Sequence, residues 1–143
     1  EAATDNRNRT NSEIKSLLGK LGGKLASPGA VTYQFRRMGK LIVKKGDDLE
    51  EQELALIDAG VEDFEEQDDI LAVYTKPNEL EEIKKNLENK NILAEEAILV
   101  WEPNNIIRID DEIVAEKILK MMEALENLED VTAVFSNFDI TAP

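Results

Sequence analysis

Apolar residues recur along this chain with two different spacings, and the change from one to the other predicts its elements. Ile14, Leu17, Leu18 and Leu21 stand at i, i+3, i+4 and i+7, one stripe of a helix over residues 11–21. Gly22-Gly23 stops that helix, and Thr10 with Glu13 has the spacing of a capping box at its start. Val31, Tyr33 and Phe35 alternate with Thr32, Gln34 and Arg36, the period of a strand with one apolar face. That face assigns both aromatic rings to a core. Gly39 offers a bend into a second short strand, Leu41–Val43. Asp48 and Glu51 suit the start of a helix ending at Gly60, and residues 61–66 and 70–75 read as a hairpin turning at Gln67-Asp68-Asp69. Pro77 fits the first turn of a further helix whose buried stripe is Leu80, Ile83 and Leu87. Ala97–Trp101 is a nearly continuous apolar strand closed by Pro103-Asn104-Asn105. Ile106–Ile109 leads out to a long helix, capped by Asp110 or Asp111 and striped by Val114, Ile118, Met121, Met122 and Leu125. Val131–Phe135 reads as the last strand.

Taken from Leu41 to Trp101, the order is β-α-β-β-α-β, the split βαβ pattern of ferredoxin-like domains. The remaining elements, helix 11–21, strand 30–37, helix 111–127 and strand 131–137, complete another two-layer unit. The expected fold is therefore α+β, with two ferredoxin-like α/β domains and the second inserted in the first. Residues 1–39 with 108–143 form the host, and residues 40–107 form the insert. An insertion at a surface turn is tolerated because its two ends stay close together.

Charge sharpens this division. The net charge is −14, yet residues 1–45 hold ten Lys/Arg against three Asp/Glu, while residues 46–103 hold four against nineteen. A basic first third beside an acidic remainder speaks to partners rather than fold. The acidic insert faces away from phosphate and either docks a basic protein, such as a ribosomal protein, or confers solubility.

Cysteine and histidine are both absent. Thiol nucleophiles, Cys/His zinc sites and His-based triads are therefore excluded from these residues. Paired carboxylates such as Asp47-Asp48 and Asp68-Asp69 lack the spacing of a calcium loop, and no phosphate-cradling glycine loop occurs. Neither a metal nor any other cofactor is expected, nor is an enzyme. No apolar run approaches the roughly 20 residues that a membrane helix needs, so no membrane partner is expected.

What remains is the polar stretch Thr4-Asp5-Asn6-Arg7-Asn8-Arg9-Thr10. Asp5 and Asn6 can build its turn, which has no use for two arginines. Arg7 and Arg9 beside Asn6 and Asn8 combine phosphate forks with hydrogen-bonding amides, and Lys15, Arg36 and Arg37 extend the basic set. These seven are the candidate nucleic-acid contacts. No helix-turn-helix, zinc finger or aromatic RNP strand names a DNA or RNA module.

The strings TDNRNRT, GAVTYQF and FSNFDI, with the amphipathic helix between the first two, resemble the YebC/PmpR family of gene-expression regulators, which includes mitochondrial translational activators. The resemblance runs the length of the chain, apart from the family's basic helical N-terminal domain. With Glu1 opening on what reads as mid-strand, the chain is expected to be a fragment. The resemblance implies a non-enzymatic regulator, either a DNA-binding transcriptional regulator or a translation factor meeting rRNA or tRNA on the ribosome. It also implies a location in the cytoplasm, or the mitochondrial matrix in a eukaryote, and a grip on nucleic acid shared between the missing domain and the Arg7/Arg9 loop. The alternative is an acidic protein-interaction module without direct nucleic-acid binding.

Overall fold

The structure, a computed structural model, describes residues 1–141 and is of the α+β class. The chain divides into two compact units, Arg36–Glu102 and a host formed by Glu1–Phe35 with the chain from Pro103 onward.

Arg36–Glu102 holds the better-formed core. Its strand β1 (Phe35–Lys44) is followed by helix α2 (Leu49–Ala59), strands β2 (Asp63–Gln67) and β3 (Ile70–Thr75), helix α3 (Leu80–Asn89) and strand β4 (Ala94–Pro103). The sheet order is β2-β3-β1-β4, the arrangement that a split βαβ sequence produces. Residues β1 and β3 share a face by alternation: Leu41, Val43, Leu71 and Val73 point together at Leu56 of α2 and at Ile83 and Leu87 of α3. All seven are at most 4% exposed, so the sheet is sealed by helices on that side.

The local chemistry behaves as its residues require. Asp48 caps α2 by accepting from the Glu51 amide, and Gly60 ends the helix at φ 94°, a left-handed position that costs glycine nothing. The hairpin turns on Asp68-Asp69, with Gln67 opposite Ile70.

In the host, helix α1 (Arg7–Lys20) is joined by strand β5 (Ile107–Ile109), helix α4 (Glu112–Glu126) and strand β6 (Phe138–Ile140), with β5 and β6 pairing in parallel. Asp111, not Asp110, caps α4, accepting from the Ile113 and Val114 amides. At the end of α1, the Gly23 amide reaches back to the Leu18 carbonyl at 2.7 Å around Gly22 at φ 84°, a Schellman closure.

Several expectations are overturned. Of the strand expected over 30–37, only Phe35 onward is extended, as the start of β1, and Thr32–Gln34 is a 3-10 turn. β-propensity needs a neighbouring edge, and here the carbonyls of Tyr33 and Gln34 are taken by the side chain and amide of Asn104. Tyr33 is consequently 73% exposed rather than core. Gly39 makes no bend, because β1 runs unbroken through it; a Cβ there would collide with the Thr75 hydroxyl and crowd Leu80. Since β1 begins at Phe35 and β4 runs to Pro103, the unit borders fall at 35/36 and 102/103 rather than 39/40 and 107/108. Val131–Phe135 makes only a bridge from Val131 to Ala2, while the last strand is Phe138–Ile140. On α4, Val114 is exposed and Ala115 is buried in its place, where a small side chain permits close approach.

Replacing Gly39 with Ala is expected to lower stability by about 1–3 kcal/mol through overpacking, and Leu87→Ala by about 2–5 kcal/mol through the cavity it leaves. Urea unfolding measures both; a neutral Gly39→Ala would show that Thr75 and Leu80 yield without cost.

Candidate nucleic-acid interface

The polar loop and the start of α1 form one hydrogen-bonded assembly. Asn6 is the N-cap: its Oδ1 accepts from the Arg9 amide at 3.1 Å, and its own amide donates to Thr4 Oγ1 at 3.0 Å. The capping box expected at Thr10 and Glu13 is therefore not the helix start. Asn6 is as good a cap as any residue, so α1 begins four residues earlier. Thr10 sits in its first turn.

That placement frees the Thr10 hydroxyl for a distant partner. Thr10 is only 4% exposed, and its Oγ1 donates to Asp130 Oδ2 at 2.7 Å. Thr4 Oγ1 lies 3.2 Å from the same oxygen. Arg9 Nη2 bridges Asp5 at 2.9 Å and Asp130 at 3.1 Å. Hydrogen bonds from Thr10 and then Arg9 hold the Asp130 carboxyl below the usual carboxylate range, and Asp130 and Asp5 in turn raise the Arg9 guanidinium. A run from Glu1 to Ala3 lies beside 130–133, with the Ala3 amide donating to the Asp130 carbonyl at 2.8 Å and the Thr132 amide to the Glu1 carbonyl at 2.8 Å. Asp130 thus fastens the helix start to a segment more than a hundred residues away.

The candidate residues separate accordingly. Asn6 is occupied as a cap, and Arg9 is held by two carboxylates. Arg7, Asn8 and Lys15 are exposed. Asn8 and Lys15 are seven residues apart, two helical turns along one side of α1, about a third of a turn from the stripe of Ile14, Leu17 and Leu18, while Arg7 lies seven residues before Ile14 on the stripe's own side. The first turn of α1 contains no acidic residue. Its partial positive charge adds to Arg7, while the Arg9 amide is taken by the Asn6 side chain and the Asp5 and Asp130 carboxylates lie against Arg9. Arg36 and Arg37 belong to the other unit. Arg37 stands over the Trp101 ring at 5.1 Å from its centroid, and Arg36 lines a cavity on the sheet.

Sequence reasoning missed Asp130, Thr10 and Thr4 as a cluster. No local signal marks Asp130, since its partners lie across the fold. Among the described residues, no group of three or more His, Cys, Asp or Glu is placed to hold a metal ion, and no helix is long and apolar enough to cross a membrane.

An α+β chain with a βαββαβ unit set inside another, and a helix opened by a polar loop locked to a distant carboxylate, defines the class. The chain belongs to the family described as TACO1/YebC second and third domain, whose model matches residues 1–138. It is 44% identical over 143 residues to a protein of Halothermothrix orenii and 41% identical over 140 residues to one of Aquifex aeolicus, each named a probable transcriptional regulatory protein. Those matches cover 98% and 97% of this chain but 56% of each relative, so the chain spans little more than half their length. The crystal structure of the conserved hypothetical protein Aq1575 from Aquifex aeolicus superposes with a TM-score of 0.90 at 40% identity, covering 99% of this chain and 59% of that one.

The depressed Asp130 carboxyl has a consequence for acid stability. A group whose folded pKa lies below its unfolded value stabilises above the unfolded value, about 4 for Asp, and loses that effect as pH falls through the folded value. Asp130→Asn is therefore expected to be less stable than wild type near pH 7, with the gap closing as pH falls below about 4. Urea midpoints across that range read it; parallel curves for the two proteins would refute the role of the carboxylate.

Proposed function

We propose that this chain is the nucleic-acid-associated part of a non-enzymatic regulator of gene expression. The observation that carries the reading is the exposure of Arg7, Asn8 and Lys15 on a helix whose positive end is fixed in place by Asn6 and Asp130. A fixed helix start presents its amides and the Arg7 fork to phosphate without an ordering cost at the moment of contact. The names of the relatives, probable transcriptional regulatory proteins, point the same way. In this reading Arg9 acts as a strut that orients Arg7 and Asn8. Phosphate contacts of this kind position a protein on its target without reading sequence. They suit the backbone of rRNA or tRNA on a ribosome as well as duplex DNA.

Titrating this chain against duplex DNA, structured RNA and purified ribosomes at several salt concentrations separates a transcriptional regulator from a translation factor. Replacing Arg7 and Lys15 with Ala is expected to flatten the slope of log affinity against log salt by about one for each phosphate contact removed. Arg9→Ala is expected to lower the melting temperature as well, since it strips a partner from Asp130. An unchanged salt slope in the Arg7/Lys15 variant would remove the helix start from the interface.

A further inference from the structure

The sheet of Arg36–Glu102 is covered by its helices on one face only. The register places Lys40 opposite Tyr74, Asp63 opposite Tyr74 and Glu65 opposite Ala72, so these side chains share the other face with Arg36 and Met38. On that face is a cavity of about 370 Å³ lined by Arg36, Met38, Glu62, Asp63, Glu65, Tyr74 and Glu102. The Tyr74 ring forms an apolar wall and already has a cation against it, Lys40 Nζ at 5.8 Å from the centroid.

Charge decides what such a cavity admits. Four carboxylates line it against one arginine, and the whole unit holds nineteen Asp/Glu against nine Lys/Arg. Burial, with Glu102, Glu65 and Asp63 nearby, pushes the Tyr74 hydroxyl up to about 12. Burial also raises Glu102, with Glu65 adding to the effect and Lys40 and Arg36 opposing it. Four carboxylates against Arg36 and the neighbouring Lys40 leave the lining with an excess of negative charge. A phosphate would meet that field as repulsion, whereas a guanidinium or ammonium would relieve it and gain the ring's quadrupole attraction.

We propose that this open sheet face docks a basic polypeptide segment, with an arginine or lysine side chain entering the cavity between Tyr74, Glu65 and Glu102. The inference is independent of the nucleic-acid reading, since it uses the other unit and the opposite sign of charge.

The test is anisotropy titration of the whole chain with a fluorescent arginine-serine repeat peptide, a glutamate-serine repeat peptide and a single-stranded RNA of similar length. The basic peptide is expected to bind in preference to both others. Glu65→Gln/Glu102→Gln is expected to weaken it about fivefold or more, the loss of exposed charge pairs together, and Tyr74→Ala similarly. Glu81→Gln/Glu82→Gln on α3 makes the same change in net charge on the helical side and is expected to leave affinity within about twofold. Melting temperatures confirm that the variants are folded, and amide chemical shifts provide a second readout, moving at Tyr74 and Glu102 on peptide addition. Equal loss from both double variants would reduce the effect to bulk acidity and overturn the site. So would shifts confined to α3, preferential binding of the RNA, or no basic-peptide binding at all.

Discussion

One carboxylate holds the start of the host unit's first helix in place. Asp130 accepts from the hydroxyl of Thr10 and the guanidinium of Arg9, with Thr4 close enough to share the same oxygen. Its side chain is 14% exposed; the threonine bonds are partly buried, while the Arg9 bond lies at the surface. Without them the first turn of α1 would rest on local bonds, the Asn6 cap and the Arg9–Asp5 pair among them. The polar loop is thus shaped by a residue that follows the last long helix. Two arginines two positions apart acquire different work: Arg9 faces inward to carboxylates and Arg7 outward to solvent.

The inserted unit is governed by a different constraint, the one-sidedness of its sheet. Leu41, Val43, Leu71 and Val73 give one face to α2 and α3, and alternation then delivers every intervening residue to the other. That second face was free to acquire Tyr74 beside carboxylates and lysine, because nothing in the unit's hydrophobic core depends on it. Both units carry more Asp/Glu than Lys/Arg, eight Lys/Arg against twelve in the host and nine against nineteen in the insert, so the basic character of the host is confined to the start of α1.

Much of this architecture was legible from spacing. The stripe of Leu80, Ile83 and Leu87, the Asp48 cap, the Gly60 stop and the hairpin at Asp68-Asp69 are local signals with local causes, and they stand where the periodicity put them. The misreadings share a physical origin, a distant partner that outbids a local preference. Asn104 holds the carbonyls of the 3-10 turn at Thr32–Gln34, Thr75 and Leu80 make Gly39 a packing glycine, and Asp130 takes the Thr10 hydroxyl. The candidate site was legible in composition but not in detail. Two arginines look alike in a string, and only the fold distinguishes the one held by carboxylates from the one facing solvent.

The Gln34 carbonyl accepts from the Asn104 amide at 2.8 Å, so the chain leaves the host and returns to it at one point. Strands β1 and β4, which carry it away and back, are neighbours in the sheet of the insert. Closing a flexible loop over residues 36–102 would cost on the order of 4 kcal/mol of chain entropy. When the insert folds, its adjacent first and last strands bring the two crossing points together and remove that cost from the host. An insert that has already closed therefore lowers the chain-entropy cost of assembling the host around it.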